Sequence, residues 1–460
     1  MEYEGGATLK AIKALRAYLR GQMDREVKAK LLGSIRAQRL VVVCGAGLSM
    51  APPSSLPSAN RVSEACYETV RISIDSEIPE NLKFDLEALA EHFKQSGQLE
   101  KVFIEAVVPW AMFETQWNPG HAAIADFLIT KAMASGISAN YDCLVERYAQ
   151  SCHYDFKVAL DGDEANLANR TQSPFLKFHG CSYRDRPATV WTPSQLGDHI
   201  IQSRINKSTN WMNGHLREKD LLFVGFWSDW AYLNTILENA LEGVSPNSIT
   251  VIDPSDIGEL QRKAPKLWEL SQSPGVGFSH VQESGADALD ELRRAYSKSY
   301  LQQVLDAGRE AYVDQFGDEA LDLSLLELNS EEYYHLRRDA EGVGVSGPAK
   351  CFVPERCEQL GYFHLILRAA GAEQTAFGYD YNGNAIRVVN GSGMMMATLK
   401  KRYREPPAAN PSDMVIAVGA QETSLPNNVV RAGREQDFIR PEEPAGKWFT
   451  VERAREVLEI

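Results

Sequence analysis

A short β-branched run, Leu40-Val41-Val42-Val43, breaks off at Gly45-Ala46-Gly47-Leu48-Ser49. Four apolar residues without alternation suit a strand buried on both faces, which is the interior strand of a parallel sheet. The glycines after it let the backbone turn tightly and pass close to a neighbour, and a helix beginning there aims unsatisfied amides at an anion. Met50 holds the place of the third glycine in the usual dinucleotide fingerprint, so the turn alone fits a purely structural strand-to-helix connection equally well.

The pattern repeats along the chain. Gly136–Ala139, Phe175–Phe178, Leu221–Val224 and Ile249–Ile252 are short apolar runs followed by polar residues or glycine. Helical spacing separates them, from about Ala59 to Val70 and again in the region up to about 134. Strands alternating with helices predict an α/β fold, a Rossmann-like parallel sheet with flanking helices. Residues 8–37 read as amphipathic helices leading into the first strand, and the first domain, which holds this sheet, is expected over residues 1–300.

A long helix is expected from Asp287 to Gln315, and a smaller C-terminal α+β domain over 310–460, for regulation or assembly. Within it Asn329-Ser330-Glu331-Glu332 has the form of a capping box, opening a helix that stops at Gly342. Tyr362–Arg368, Gln374–Tyr379 and Ile386–Val389 read as strands, the last two flanking the hairpin signal Asn382-Gly383.

A net charge of -14 argues against a broad phosphate-backbone surface, so no direct nucleic-acid binding is expected. No apolar stretch is long enough to span a bilayer, and the amino terminus lacks the apolar core of a signal peptide; a cytoplasmic protein without a membrane partner is expected. The seven cysteines are scattered and include no Cys-x-x-Cys pair, which points to neither a disulfide framework nor a zinc ribbon, and no metal is expected.

In a parallel sheet the ligand lies at the carboxyl ends of the strands, so the residues following each strand are the candidates. The second strand leads into Asn140-Tyr141-Asp142, an amide and a carboxylate two residues apart; either also suits a helix N-cap. The third leads into His179-Gly180, where a histidine can exchange protons with a sugar hydroxyl. Gly225 follows the fourth strand and Asp253 the fifth, where Asp253-Pro254 is equally a turn former. His121 reads as a helix-start residue, and Trp227 and Trp230 as core packing more than pocket wall.

Taken in order, Gly-Ala-Gly-x-Ser, Asn-x-Asp, His-Gly and Gly225 resemble the sirtuin superfamily over roughly residues 35–285. With Pro119-Gly120-His121 and Lys177-Phe178-His179-Gly180-Cys181, the set is most similar to the bacterial sirtuin-like branch that degrades NAD in anti-phage defence. The resemblance implies that Gly45, Ala46, Gly47 and Ser49 hold the diphosphate, that Asn140 and Asp142 serve the nicotinamide ribose, and that His179 is catalytic. Gly225, Ser228 and Asp253 are implied on the adenosine side. Two departures bear on this. The four-cysteine zinc module of deacylating sirtuins is missing, which disfavours lysine deacylation, and Trp227 stands where the family's Gly-x-Ser turn places serine, with Ser228 next.

The implied activity is hydrolysis of NAD, as substrate, to nicotinamide and ADP-ribose by an abortive-infection effector. The alternatives are an ADP-ribosyltransferase and a non-catalytic NAD-binding sensor or scaffold. Such an activity needs restraint, so a homo-oligomer is expected, with a separate activator of the kinds found with that branch: a HerA-like ATPase, a short Argonaute or a nucleotide-processing protein.

Overall fold

The computed structural model describes residues 23–73, 78–169, 172–227, 231–317, 322–343, 354–403, 412–422 and 447–460. The chain divides into two units between Leu292 and Arg293. In the first, six strands form one sheet: β1 (Leu40–Cys44), β2 (Ser135–Ser138), β3 (Phe175–Leu176), β4 (Asp220–Val224), β5 (Ser248–Ile252) and β6 (Gly277–Val281). Their order is β3-β2-β1-β4-β5-β6 and every pairing is parallel, the doubly wound Rossmann order. Strands β1, β4 and β5 are buried throughout, as interior strands of a parallel sheet are. Strand β6, Gly-Phe-Ser-His-Val, was not expected from the sequence, because it is a half-exposed edge strand with little apolar content.

In this order the chain reverses direction of travel between β1 and β4. Loops leaving adjacent strands at that point go to opposite faces and open a crevice between them. The residues after β1 and β4 therefore face each other by topology. One wall of the crevice comes from the long connection between β1 and β2, which folds into helices Ala59–Ser73, Leu86–Gln95 and Trp110–Phe113 and the wider-wound, i→i+5 bonded turn Leu99–Val107. These bury their own apolar core of Val62, Cys66, Leu89, Phe93, Phe103 and Trp110, joined by Trp191 from the connection after β3.

The second unit holds a mixed sheet of β7 (Glu373–Thr375), β8 (Gly378–Tyr381), β9 (Asn384–Asn390), β10 (Met414–Val418) and β11 (Trp448–Phe449), in the order β11-β10-β9-β8-β7. β7, β8 and β9 are antiparallel neighbours, whereas β9, β10 and β11 run parallel. Asn382 and Gly383 turn the β8–β9 hairpin with φ of 54° and 78°, the left-handed pair that such a two-residue turn demands. Asn329 and Glu332 form the reciprocal capping box of helix Ser330–Glu341, and Gly342 ends it at φ 73°. The expected strand Tyr362–Arg368 is instead part of helix Pro354–Ala369. Leu360, Phe363 and Leu367 recur at helical spacing and are all buried, and the aromatic and β-branched residues between them imitate a strand. Gly361 supplies the reason for the close crossing there: a Cβ on it would lie 1.9 Å from the Val304 carbonyl oxygen. Of the amino-terminal helices expected over 8–37, Arg25–Arg36 is formed with Asp24 as its cap, while residues 8–22 lie outside the described residues. Among the described residues, no helix is long and apolar enough to cross a membrane.

Candidate active site

The glycines after β1 are required first by the loop after β4. A Cβ on Gly45 would lie 2.8 Å from both the Gly225 carbonyl oxygen and Phe226 Cα, and one on Gly47 would lie 2.8 Å from Gly225 Cα. Gly225 has φ 58°, and a Cβ there would fall 2.3 Å from the Leu48 nitrogen. The amides follow suit: Gly45 N–H donates to Val224 O (3.1 Å), Gly47 N–H to Gly225 O (2.9 Å) and Leu48 N–H to Gly45 O (3.1 Å). The two turns are thus one backbone-on-backbone unit, and much of the amide array is spent inside it.

Ser49 joins this unit to the loop after β2. Its hydroxyl, 1% exposed as a residue, donates to Asp142 Oδ2 (2.8 Å), accepts from Asn140 Nδ2 (3.1 Å) and lies 3.0 Å from His121 Nε2. The histidine tautomer follows from its other nitrogen. Nδ1 accepts the Asn118 N–H (3.2 Å), so the proton sits on Nε2 and is given to Ser49. Burial pushes the His121 pKa down to about 4 against the pull of Asp142, which keeps the ring neutral and this polarity fixed. His121 is the helix-start residue expected, completing the capping box of Pro119–Ile129 with Asn118, and it also orders the site. Asp142 spends its other oxygen on the Leu144 amide (3.2 Å).

Asn140 is oriented by a carbonyl. Its side-chain amide donates to Gly45 O (3.0 Å), and a carbonyl only accepts, so Nδ2 faces the turn and Oδ1 is left without a partner among the described residues.

His179 is buried among aromatic rings, stacked on Tyr141 at 4.7 Å, with Tyr141 in turn stacked on Trp191 at 4.5 Å. Nδ1 lies 3.0 Å from the Ala139 carbonyl and must carry the proton, leaving Nε2 as an acceptor. Tyr141 commits its O–H to Val190 O, so it is the Tyr232 hydroxyl, at 2.7 Å, that donates to Nε2. Burial, helped by the nearby Arg204 guanidinium, pushes the His179 pKa down to about 3. Arg204 is itself buried, and none of its three guanidine nitrogens is hydrogen-bonded among the described residues.

These groups meet at one cavity of about 340 Å³. Gly45, Ala46, Gly47, Ser49, Asn140, Asp142, His179, Gly225 and Asp253 all line it; Ser228 lies outside the described residues, as does Trp230. The opposite wall is apolar, formed by Leu56, Pro57, Val62, Leu86, Phe113 and Trp191. Trp227 does both tasks weighed for it, lining the cavity while packing on Phe223 and donating to Leu260 O (2.6 Å). Asp253 accepts the Ser255 amide (2.8 Å) as a turn former, and also faces the cavity. Lys263, unforeseen in the sequence, is the cation of the lining, 3.1 Å from Ser255 Oγ.

A second cluster adjoins the site. Lys177, fully buried, pairs with Glu146 Oε1 at 3.1 Å and donates to the backbone oxygen of Asp142. Its charge is favoured despite burial because Glu146 and two thiols surround it. Those thiols belong to Cys143 and Cys181, and with Glu146 they form a group whose ligand atoms lie within 4.8 Å of one another. Sequence spacing could not disclose this grouping, because the cysteines come from loops after two different strands.

Residues 135–272 match the family described as SIR2-like domain. This span contains Asn140, Asp142, His179, Gly225 and Asp253, while the Gly45–Ser49 turn precedes it. Among solved structures, a Sir2 homolog–NAD complex is 17% identical, with 61% of this chain and 96% of that one covered, at a TM-score of 0.34. A substituted Sir2 homologue in complex with 2′-O-acetyl ADP ribose is also 17% identical, covering 60% of this chain and 98% of that one, at a TM-score of 0.32. No curated protein matches the chain. Residues 135–272, which hold strands β2 to β5 of the doubly wound parallel sheet, thus match a SIR2-like domain.

Proposed function

We propose that this chain cleaves NAD at the bond between nicotinamide and ribose, giving nicotinamide and ADP-ribose. The observation that supports the reading best is the clamping of Asn140: with Nδ2 held by Gly45 O and Ser49 Oγ, Oδ1 is a fixed acceptor at the cavity. Loss of nicotinamide develops positive charge on the ribose, and a positioned carbonyl that orients ribose or the incoming water needs no reorganisation at that moment. Asp142, buried and held from both oxygens, supplies the negative field favouring that charge. His179 is a neutral acceptor at Nε2, and a substrate hydroxyl reaching it competes with Tyr232 for one lone pair. The turn after β1 and Lys263 suit the diphosphate, with Gly225 and Asp253 toward the adenosine. The four-cysteine module of deacylating sirtuins is not part of this sequence, which supports cleavage over deacylation.

An unrestrained NAD hydrolase would exhaust its cell, so the reading extends to an effector of anti-phage defence that works as a homo-oligomer and is switched on by a partner or ligand. Light scattering tests the oligomer, and a monomer at every concentration would remove that part. For the chemistry, purified protein is incubated with NAD labelled in the adenosine moiety and the products separated by chromatography. Free nicotinamide and labelled ADP-ribose are expected, with turnover lost in Asn140→Ala and His179→Ala. Label carried on a macromolecule, or variants as active as the parent, would overturn it.

A further inference from the structure

Cys143 and Cys181 stand next to the two catalytic segments, one following Asp142 and the other following Gly180. Their sulfurs are 3.4 Å apart, so a disulfide, at about 2.05 Å, needs them to approach by only about 1.3 Å. Lys177 Nζ lies 3.7 Å from Cys181 Sγ and 4.0 Å from Cys143 Sγ. We propose that Cys143 and Cys181 are an oxidation site, closing to a disulfide on reaction with a peroxide and so tying the loop after β2 to the loop after β3.

Three features of the cluster fit this chemistry. The first is a ready thiolate: the Cys143 S–H, then Lys177 and the amides of Tyr183 and Arg184, pull the Cys181 thiol down to about 4, so the pair shares one proton. The second is access, because Cys143 is only half-buried whereas Cys181 is buried. The thiolate is therefore Cys181, while Cys143, whose thiol is pushed far up by its bond to Cys181 and by burial, keeps the shared proton and is the half-buried side of the pair. The third is charge. With one thiolate, Glu146 and Lys177, the reduced cluster buries a net negative charge, while the disulfide leaves a matched Lys177–Glu146 pair, so oxidation relieves an uncompensated buried charge.

The steps balance. The Cys181 thiolate attacks one peroxide oxygen, the O–O bond breaks, and hydroxide leaves to be protonated to water, giving a sulfenic acid. The Cys143 sulfur then displaces the hydroxyl of that sulfenic acid, which departs with the thiol proton as a second water. Two thiols are oxidised and one peroxide is reduced to two waters.

The same three side chains have the spacing of a metal site, but its centre is occupied by the chain's own cation: the Lys177 ammonium contacts Glu146 and both sulfurs. A metal entering would have to expel it.

The test uses the full-length chain, reduced, freed of reductant and exposed to hydrogen peroxide, then digested without reduction for mass spectrometry. A cross-linked Cys143–Cys181 peptide lighter by two hydrogens, reversed by a thiol reductant, is expected, with a yield falling at least tenfold in Cys143→Ser and Cys181→Ser. Cys44 and Cys66, buried and with thiols pushed up to about 12, should stay unmodified. Both thiols remaining titratable, separate over-oxidation without a cross-link, or a link through Lys177 that retains oxygen would each overturn the proposal. Stoichiometric zinc in the purified protein, lost in both serine variants, would assign the cluster to a metal instead. NAD turnover, the second readout, should fall on oxidation by about 10²-fold if the catalytic loops move by an ångström. That readout rests on the proposed function, whereas the cross-link stands or fails without it.

Discussion

Replacing Ser49 by alanine separates two roles for this residue that differ in what they disturb. As a diphosphate ligand, the hydroxyl would matter only when NAD is bound. As the structural hub, it holds three groups whether or not NAD is present: Asp142 at 2.8 Å, His121 at 3.0 Å and Asn140 at 3.1 Å. Losing the charge-assisted bond to Asp142 costs about 1.5–3 kcal/mol, and a buried Nε2–H left on His121 costs about 1–3 kcal/mol. One oxygen serves both, so the terms overlap, and a total near 3 kcal/mol is expected. For a unit of this size that lowers Tm by roughly 5 °C. Asn140 keeps its bond to Gly45 and Asp142 its bond to Leu144, so NAD still binds but to a looser site: kcat should fall about 10–100-fold with KM nearly unchanged. Thermal unfolding without NAD and steady-state chromatography of nicotinamide release make the measurement. A Tm within about 1 °C of the parent together with a raised KM and unaltered kcat would refute the hub and restore the phosphate ligand.

Three other outcomes follow from the geometry. Gly225→Ala combines a left-handed φ of 58° with a Cβ 2.3 Å from Leu48 N, so the two turns must separate; weakened NAD binding by calorimetry is expected, and parental affinity would remove the loop-on-loop account. Acid should destabilise the first unit. His121, His179 and His215 are held neutral by burial, with pKa values near 4, 3 and 4 against an ordinary 6.5, so below pH 6.5 the unfolded chain takes up protons that the fold refuses. Stability present above pH 6.5 is then lost as pH falls toward 4, by about 1.4 kcal/mol per pH unit for each histidine; urea midpoints at pH 7 and 5.5 check this, and a rise on acidification would contradict it. In the second unit, Glu341 pairs with Arg337 at 2.8 Å and with Arg338, all three side chains being no more than 1% exposed. Glu341→Ala should cost about 3–5 kcal/mol, seen as faster amide exchange across Ser330–Glu341, and unchanged protection would show that the ion pairs contribute little.

What could be read from the sequence divides by the range of the interactions that determine it. Strands β1, β4 and β5 announce themselves because burial on both faces requires mostly apolar and β-branched residues, and the capping box at Asn329 and the Asn382-Gly383 turn are decided within four residues. Edge strand β6 and helix Pro354–Ala369 depend on what lies beside them, and local pattern misses the first and misreads the second. The candidate site shows the same division. Every candidate position within the described residues lines one cavity, because parallel-sheet topology sends strand ends to one side.

The identity of a residue is nonetheless not its chemistry. His179 is visible as a histidine after a strand, but its neutrality comes from burial, helped by Arg204, and its tautomer and its occupied lone pair come from Ala139 and Tyr232, with Arg204 and Tyr232 on two helices remote in sequence. The same holds for Ser49, whose partners His121 and Asp142 are 72 and 93 residues away. A serine beside glycines reads as a phosphate turn from local pattern; three partners, His121 and Asp142 buried and Asn140 half-buried, make it the tie between the β1 turn, the β2 loop and the helix at Pro119. Cys143 and Cys181 carry this furthest. They are 38 residues apart with no recognisable spacing, and become a pair only because β2 and β3 are neighbours in the sheet, with Lys177 at the end of β3 drawing both sulfurs to one charge. Chemistry that depends on strand adjacency is therefore written in the topology, and the search for it begins where loops from neighbouring strands leave the sheet side by side.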